Sequence, residues 1–185
     1  MIKKRDLHDC SSLFELITHH DVFPYVRHKV TSVEEYYFLT KQLIEQEEQG
    51  LVITRTIMDE WSSPIGSISL YDIQEQAGFL GTWLGKPYHG KGYNQLAKDA
   101  FFNELFFDLN IEKVFLKIRK ENVRSMKACQ KLPYVTFADD LYPQLMKQIN
   151  NSERQYHLFK ISKDMYSFYS NRHDQPVGVE HLKEA

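Results

Sequence analysis

The spacing of apolar residues changes along the chain, and each change marks an element. Near the start, Leu13, Phe14, Leu16 and Ile17 recur at helical spacing behind Asp9, a residue type suited to an N-cap. The segment HHDVFPYVRH interrupts that helix at Pro24, whose ring and missing N–H oppose helical continuation. A second helix is predicted from Ser32. There Ser32 and Glu35 make a capping-box pair, Tyr36, Tyr37, Leu39, Leu43 and Ile44 keep the spacing, and Gly50 offers a stop.

From Leu51 the period becomes strand-like. LVITRTIM, PIGSISLYDI and GFLGTWL are short, rich in β-branched and aromatic residues, and separated by the turns DEWSS and QEQAG, which predicts an antiparallel meander. Gly85 to Gly92 reads as a loop. Beyond it Tyr93, Leu96, Ala97, Ala100, Phe101 and Leu105 return at spacings of three and four, the clearest helix in the chain. In EKVFLKIRK, Val114, Leu116 and Ile118 alternate with Lys113, Phe115, Lys117 and Arg119, the pattern of a half-buried strand. NVRSMKACQKL predicts a helix capped by Asn122. YVTFA and RQYHLFKI are the last two strands, with the polar segment 139–153 between them.

This order, without repeats or low-complexity linkers, predicts a single α+β domain over residues 1–170. Residues 171–185 lack apolar periodicity and read as a loose tail. Composition agrees with a globular chain: 42% of its 185 residues are hydrophobic, 26% charged and 14% aromatic. The 23 basic and 25 acidic residues leave a net charge of -2, which gives no cationic surplus for a phosphate backbone, so nucleic acid is not expected as a partner. Cys10 and Cys129 form no CxxC pair or regularly spaced set, which argues against a disulfide framework or zinc site and for a reducing compartment. No apolar run approaches the roughly 20 residues of a membrane span. A cytoplasmic protein without a membrane partner is expected.

The stretch WLGKPYHGKGYNQL is a strand end, a glycine-rich loop and a helix start. Amides at a helix N-terminus are unpaired and lie at the positive end of its dipole, and Gly90 and Gly92 would admit an anion close to the backbone. From these residues alone, a phosphate loop and a plain tight turn both stand. Two other phosphate motifs fail: Gly92 is followed by Tyr93 where a P-loop needs Lys-Ser/Thr, and Gln95 stands where the dinucleotide fingerprint needs a third Gly.

In order, IGSISLYDI, GFLGTWLGKPYHGKGYNQLAKDAFF and KVFLKIRKENVRSMKACQKL resemble the GNAT N-acetyltransferase superfamily, and most its RimJ/RimL-like branch, closely over Ile65 to Tyr134. The resemblance implies a mixed, mainly antiparallel central sheet with helices on both faces, and acetyl-CoA as cosubstrate. It implies that Trp83 and Leu84 contact the pantetheine arm, and that His89, Gly90, Lys91, Gly92, Tyr93 and Asn94 hold the pyrophosphate. Asn122 and Ser125 would lie beside the thioester, with Ser125 as the catalytic hydrogen-bond donor. The chain departs from the family pattern at Pro87, where many members carry Arg or Gln, and at Phe79, where a Glu often stands. Cys129 replaces a tyrosine used as general acid, and Leu132-Pro133-Tyr134 replaces Leu-Gly-Phe.

Acetyl transfer to an amine needs a neutral nucleophile, a stabilised oxyanion and a protonated leaving thiolate. A thiol pKa of about 8.5 makes the last demand modest, so a hydroxyl such as that of Ser125 suffices. Ser125 also has a plain reading as a helix-start serine, and Asn122 as a pure N-cap. Cys129 reads as a small buried apolar residue, and no base is named. His19, His20, Asp21 and His28 form the other cluster; adjacent histidines on an irregular segment are expected to point apart, so no metal is expected. The run Phe23, Pro24, Tyr25 either lines an acceptor groove, as the resemblance implies, or plugs the core. The expected function is acetyl transfer from acetyl-CoA to a primary amine, of a protein N-terminus or a small molecule, by a monomer or homodimer. The alternative is a catalytically silent acyl-CoA sensor of the same fold.

Overall fold

The structure, a computed structural model, describes residues 1–173 and is of the expected α+β class: a mixed, mainly antiparallel sheet flanked by helices. Contacts divide the chain into two compact units, with the boundary after Lys117. The first unit is built on five strands in spatial order β1 (Ile2–Lys4), β2 (Ile53–Met58), β3 (Pro64–Gln74), β4 (Ala77–Leu84) and β5 (Lys113–Arg119), the last continuing past the boundary. The predicted meander is present, with Arg55 opposite Ile68 and Ser69 opposite Gly81 in antiparallel register. Strand β1 was not predicted. Its three residues are too few to show a period, and it forms by pairing Ile2 with Ile57 at the sheet edge.

Register decides what each face carries. Ser67, Ser69 and Tyr71 of β3 stand opposite Trp83, Gly81 and Phe79 of β4, so these six share one face. On that face lies α1 (Cys10–Ile17), whose Cys10, Leu13 and Ile17 form a buried cluster with Val22, Val26, Val30 and Tyr36; Trp83 packs against it. Tyr36 belongs to α2 (Val33–Glu48), where Ser32 Oγ accepts from the Glu35 N–H at 3.2 Å as the capping box requires. The Glu35 carboxylate closes the start one residue earlier than expected, accepting from Thr31 N and Thr31 Oγ1 at 2.6 and 2.8 Å. Asp9 holds the N-cap position of α1, but its side chain turns instead to Lys3 Nζ at 3.0 Å.

Thr82, next to Trp83, points the other way, and its hydroxyl donates to Asn94 Oδ1 at 3.5 Å on α3 (Tyr93–Asn103). Helices therefore cover both faces. Helix α3 runs into a π turn over Glu104–Asp108, and Phe101, Phe102, Leu105 and Phe106 are fully buried, each worth about 1.5–3 kcal/mol of apolar burial. Leu96, expected on that face, is instead 61% exposed. Covering both faces also explains β2, in which every residue is buried. Arg55 is accommodated there by Glu47, whose Oε1 lies 2.7 Å from Nη1, and by Glu104, which accepts from Nε at 2.9 and 3.0 Å. In β5 the predicted alternation is incomplete, because Phe115 is buried along with Val114 and Leu116.

The second unit holds α4 (Val123–Gln130), β6 (Thr136–Phe137), α5 (Pro143–Ile149), β7 (Tyr156–Ser162) and α6 (Lys163–His173). β6 and β7 pair antiparallel through Thr136 with Lys160 and Phe137 with Phe159. The segment 139–153, expected to be an irregular polar stretch, contains α5, opened by Pro143 at its first turn. Residues 171–173, expected as the start of a loose tail, continue α6, whose Tyr166 is buried edge-on to Tyr134 at 5.1 Å. The remainder of the expected tail lies outside the described residues. Among the described residues no helix is long and apolar enough to cross a membrane.

Candidate functional site

The end of β4 and the loop behind it organise the site. β4 pairs with β5 in parallel only at Ala77, Gly78 and Phe79, matched to Lys113, Val114 and Phe115. Both strands run on past that point, so the stretch from Leu80 to Leu84 presents an edge that the β4–β5 register does not use. Such an edge offers amides and carbonyls to an extended polar chain. Trp83, half-buried, and Leu84, buried, lie on it. The chain then makes a 3-10 turn over Lys86–Tyr88 and reaches α3 through Gly90 and Gly92, at φ +75 and +88.

Those positive φ values answer why glycine is needed. A Cβ built on either residue would meet nothing within 4 Å, so the requirement is conformational and the space before the backbone is open. Gly92 is the N-cap of α3, and the first helical bonds run from Gln95 N and Leu96 N to Gly92 O at 3.0 and 3.2 Å. The amides of Gly92, Tyr93 and Asn94 lie ahead of those bonds, at the positive end of the dipole. His89 stiffens the entry: its Nε2 donates to the Leu84 carbonyl at 2.9 Å, which fixes the proton on that nitrogen. Lys91, exposed, stands 5.8 Å from the Tyr88 ring. The Tyr93 hydroxyl donates to the Glu60 carboxylate, a bond that pushes the phenol up to about 12.

Asn122 and Ser125 lie in the second unit. The Asn122 side chain accepts from the Ser125 N–H at 3.1 Å, the N-cap expected from the sequence. Ser125 is half-buried, and no described residue engages its hydroxyl. Cys129 is buried at 5% exposure, a packing position.

The histidine cluster read from the sequence separates in the fold. His19 and His20 do not point apart: their rings stack at 4.4 Å, and with Asp21 they bring three possible metal donors within 4.8 Å of one another. Asp21 is already ion-paired to Lys86 Nζ at 2.6 Å. His28 stands elsewhere, its ring 5.6 Å from that of Tyr71. In the run 23–25, Phe23 packs against the core cluster while Tyr25 is 71% exposed, so plug and surface are divided between them.

Of two hollows, the larger, about 650 Å³, is lined by Lys4, Arg5, Ile44, Gln76 and Ile111, at the start of β4 and so at the opposite end of the strand from the loop. The smaller, about 410 Å³, is lined by Arg27, His28, Lys29, Glu35 and Phe38. Sequence reasoning missed the Glu60 contact and the Lys86 pair, since each joins positions far apart in the chain. It also had no signal for the unpaired edge of β4.

Residues 2–135 match the acetyltransferase (GNAT) domain family, and the chain belongs to it. A comparison with curated proteins finds no match. Solved structures give the fold. RimL, a ribosomal L7/L12 alpha-N-protein acetyltransferase in apo form, is 17% identical with a TM-score of 0.72, covering 87% of this chain and 88% of its own. Spermidine N-acetyltransferase from Vibrio cholerae, in complex with CoA and spermine, is 14% identical with a TM-score of 0.72, covering 90% and 97%. Apo FdhC, a nucleotide-linked sugar GNAT, is 15% identical with a TM-score of 0.73, covering 93% and 91%.

Proposed function

We propose that the chain transfers an acetyl group from acetyl-CoA directly to a primary amine, as a member of the RimJ/RimL-like branch. The observation that carries the reading is one continuous path: an unpaired strand edge at Leu80 to Leu84, two left-handed glycines, and a helix N-terminus with free amides. The pyrophosphate sits on His89, Gly90, Lys91, Gly92, Tyr93 and Asn94, where the dipole and open backbone favour negative charge. The pantetheine arm runs back along Trp83 and Leu84, pairing with the free edge of β4. From the second unit, Ser125 is assigned as donor to the leaving thiolate and Asn122 as both helix cap and cofactor contact, on the sequence resemblance alone.

In the reaction the amine lone pair attacks the thioester carbonyl, the C–S bond breaks, and the thiolate leaves with a proton. The acceptor is a primary amine of a protein N-terminus or of a small molecule. A second reading, an acyl-CoA sensor without turnover, is favoured by Phe79: its ring packs on Phe115 at 5.8 Å, with no carboxylate in its place. Free-thiol release from acetyl-CoA across a panel of amines and N-terminal peptides separates the two. Steady turnover supports the enzyme, and saturable CoA binding with no turnover supports the sensor.

A further inference from the structure

We infer that the acceptor is a primary amine with an apolar body and an anionic second group, selected by the Lys117 ammonium. The inference rests on the acetyl transfer proposed above and names its substrate class. It starts from a row of aromatic rings that crosses three strands where β4 and β5 part. Tyr71, Phe79 and Phe115 are matched in register across β3, β4 and β5, and so share one face of the sheet. Phe79 and Phe115 are the last β4–β5 pair before the free edge begins at Leu80. Lys117, exposed, is two residues further along β5 on the same face, and its Nζ stands 5.2 Å from the centre of the Phe79 ring.

The row lies within reach of the acyl group. A cofactor arm that starts at the N-terminus of α3 and runs back along the edge from Leu84 to Leu80 covers about 13 Å of strand, at about 3.3 Å per residue. Its acyl end then lies beside Phe79. Helix α3 packs on the side of Thr82, whereas Phe79 and Gly81 face the other way. An acceptor amine therefore meets the thioester carbonyl from the face that carries the rings. Tyr71, Phe79 and Gly81 are each half-buried, so solvent reaches that face here.

The chemistry of the row is apolar and cationic. Aromatic faces attract cations. Here the chain fills them itself, with the Arg27 guanidinium 4.5 Å from the centre of the Tyr71 ring and Lys117 over Phe79. Asp72, the acidic residue next to Tyr71, already accepts from Arg27 with both oxygens at 2.9 Å. It balances Arg27, so Lys117 is the cation an acceptor meets. A polyamine would bring a second ammonium against Lys117 and find Asp72 engaged. An amine that ends in a carboxylate gains from the same charge, and its carbon chain lies on the rings. Lys117 takes no part in the transfer itself: the N–C bond forms, the C–S bond breaks, the amine gives up one proton and the thiolate takes one.

The test uses three six-carbon amines of similar basicity at the reacting nitrogen. Aminohexanoate, hexylamine and hexamethylenediamine end in a carboxylate, a methyl group and an ammonium. An exposed charge pair is worth up to about 5-fold. In wild type, kcat/KM per amine group should fall in that order by about 3-fold at each step, and the spread should narrow at high salt. Lys117→Met, which keeps an apolar stem, should bring the three together, and Lys117→Glu should reverse the order. A purely structural role for Lys117 would give no reversal. A wild-type order that favours the diamine, a carboxylate preference that survives Lys117→Glu, or an equal loss on all three amines overturns the inference. The wild-type order decides even where neither variant folds. Peptides that differ in Glu or Lys behind a common N-terminal residue are run beside the amines. The same preference with turnover confined to peptides assigns a protein N-terminus, and turnover confined to the amines a small molecule. Turnover in the wrong order defeats this inference alone, whereas no turnover of any amine or peptide removes the acetyltransferase reading and the inference with it.

Discussion

The Asp21 carboxylate and the Lys86 ammonium meet at 2.6 Å, tying the turn behind α1 to the first residue of the 3-10 turn that enters the glycine loop. Both side chains are well exposed, so the contact contributes little to overall stability. Its consequence is electrostatic. Lys86 is the first cationic residue in sequence after the end of β4, and Asp21 neutralises it.

Asp21→Asn should therefore leave the melting temperature nearly unchanged and tighten CoA binding a few-fold at low ionic strength. The bond from Lys86 holds the Asp21 carboxyl below its ordinary range, so the tie is intact at neutral pH and is lost only as pH falls through that lowered value. Titration calorimetry at low and high salt checks this. The gain should shrink with salt, because exposed charges are screened over about 10 Å at 0.1 M. A gain that is independent of salt would point to a change of loop conformation instead.

Gly92 separates conformation from ligand contact. Its φ of +88 disfavours any side chain, by roughly 1–2 kcal/mol for an ordinary residue and more for a β-branched one, while the space around it is open. Gly92→Val should lower stability and CoA affinity together. Gly92→Asn, which tolerates the left-handed region better, should keep most of the stability and still lose CoA affinity about 10-fold or more, because its side chain occupies the space a phosphate needs. Wild-type affinity in a folded Gly92→Asn protein would reduce the loop to a turn.

The bond from Tyr93 to Glu60 gives a pH prediction at the helix start. The carboxylate accepts from the phenol and holds its pKa up to about 12, so the contact persists through neutral pH and is lost as pH rises through that value. In a 13C-tyrosine NMR titration, the midpoint of the Tyr93 ring resonance should move toward the ordinary value of about 10 in Glu60→Gln. An unchanged midpoint would show that the two groups do not meet in solution.

Much of the fold was legible because its signals are local. The meander showed as alternation in LVITRTIM, PIGSISLYDI and GFLGTWL, the Ser32 and Asn122 caps as residue types at fixed offsets, and the glycines of the loop as positions that other residues resist. What stayed hidden is set by partners distant in sequence. β1 is a strand through its pairing with Arg55, Thr56 and Ile57 of β2, and the buried Arg55 is accommodated by Glu47 and Glu104. In α5 the segment PQLMKQI has no buried residue, so no apolar stripe announced it. The same limit applies to the site. The glycines marked the loop, whereas the contact of His28 with Tyr71 depends on how the segment after the 3-10 turn Phe23–Tyr25 packs on the sheet.

Asn122 and Ser125 provide the test that divides cofactor binding from chemistry. The Asn122 side-chain Oδ1 caps α4 by accepting from the Ser125 N–H, so Asn122→Ala should cost about 1 kcal/mol of stability whether or not a ligand is present. If the residue also touches the cofactor, acetyl-CoA affinity falls as well. Ser125→Ala leaves that cap in place, because the bond uses the serine backbone and not its hydroxyl. Stability should hardly change. A hydroxyl that donates to the developing thiolate interacts more strongly in the transition state than in the ground state, so its loss lowers kcat while the CoA dissociation constant stays near wild type. The expected fall is on the order of 10-fold to 1000-fold, as for one donor removed from a charge-stabilising site. Thermal denaturation, CoA titration and steady-state thiol release on the two variants give the three readouts. If kcat in Ser125→Ala equals that of wild type, the serine is a helix-start residue only and the thiolate takes its proton from solvent.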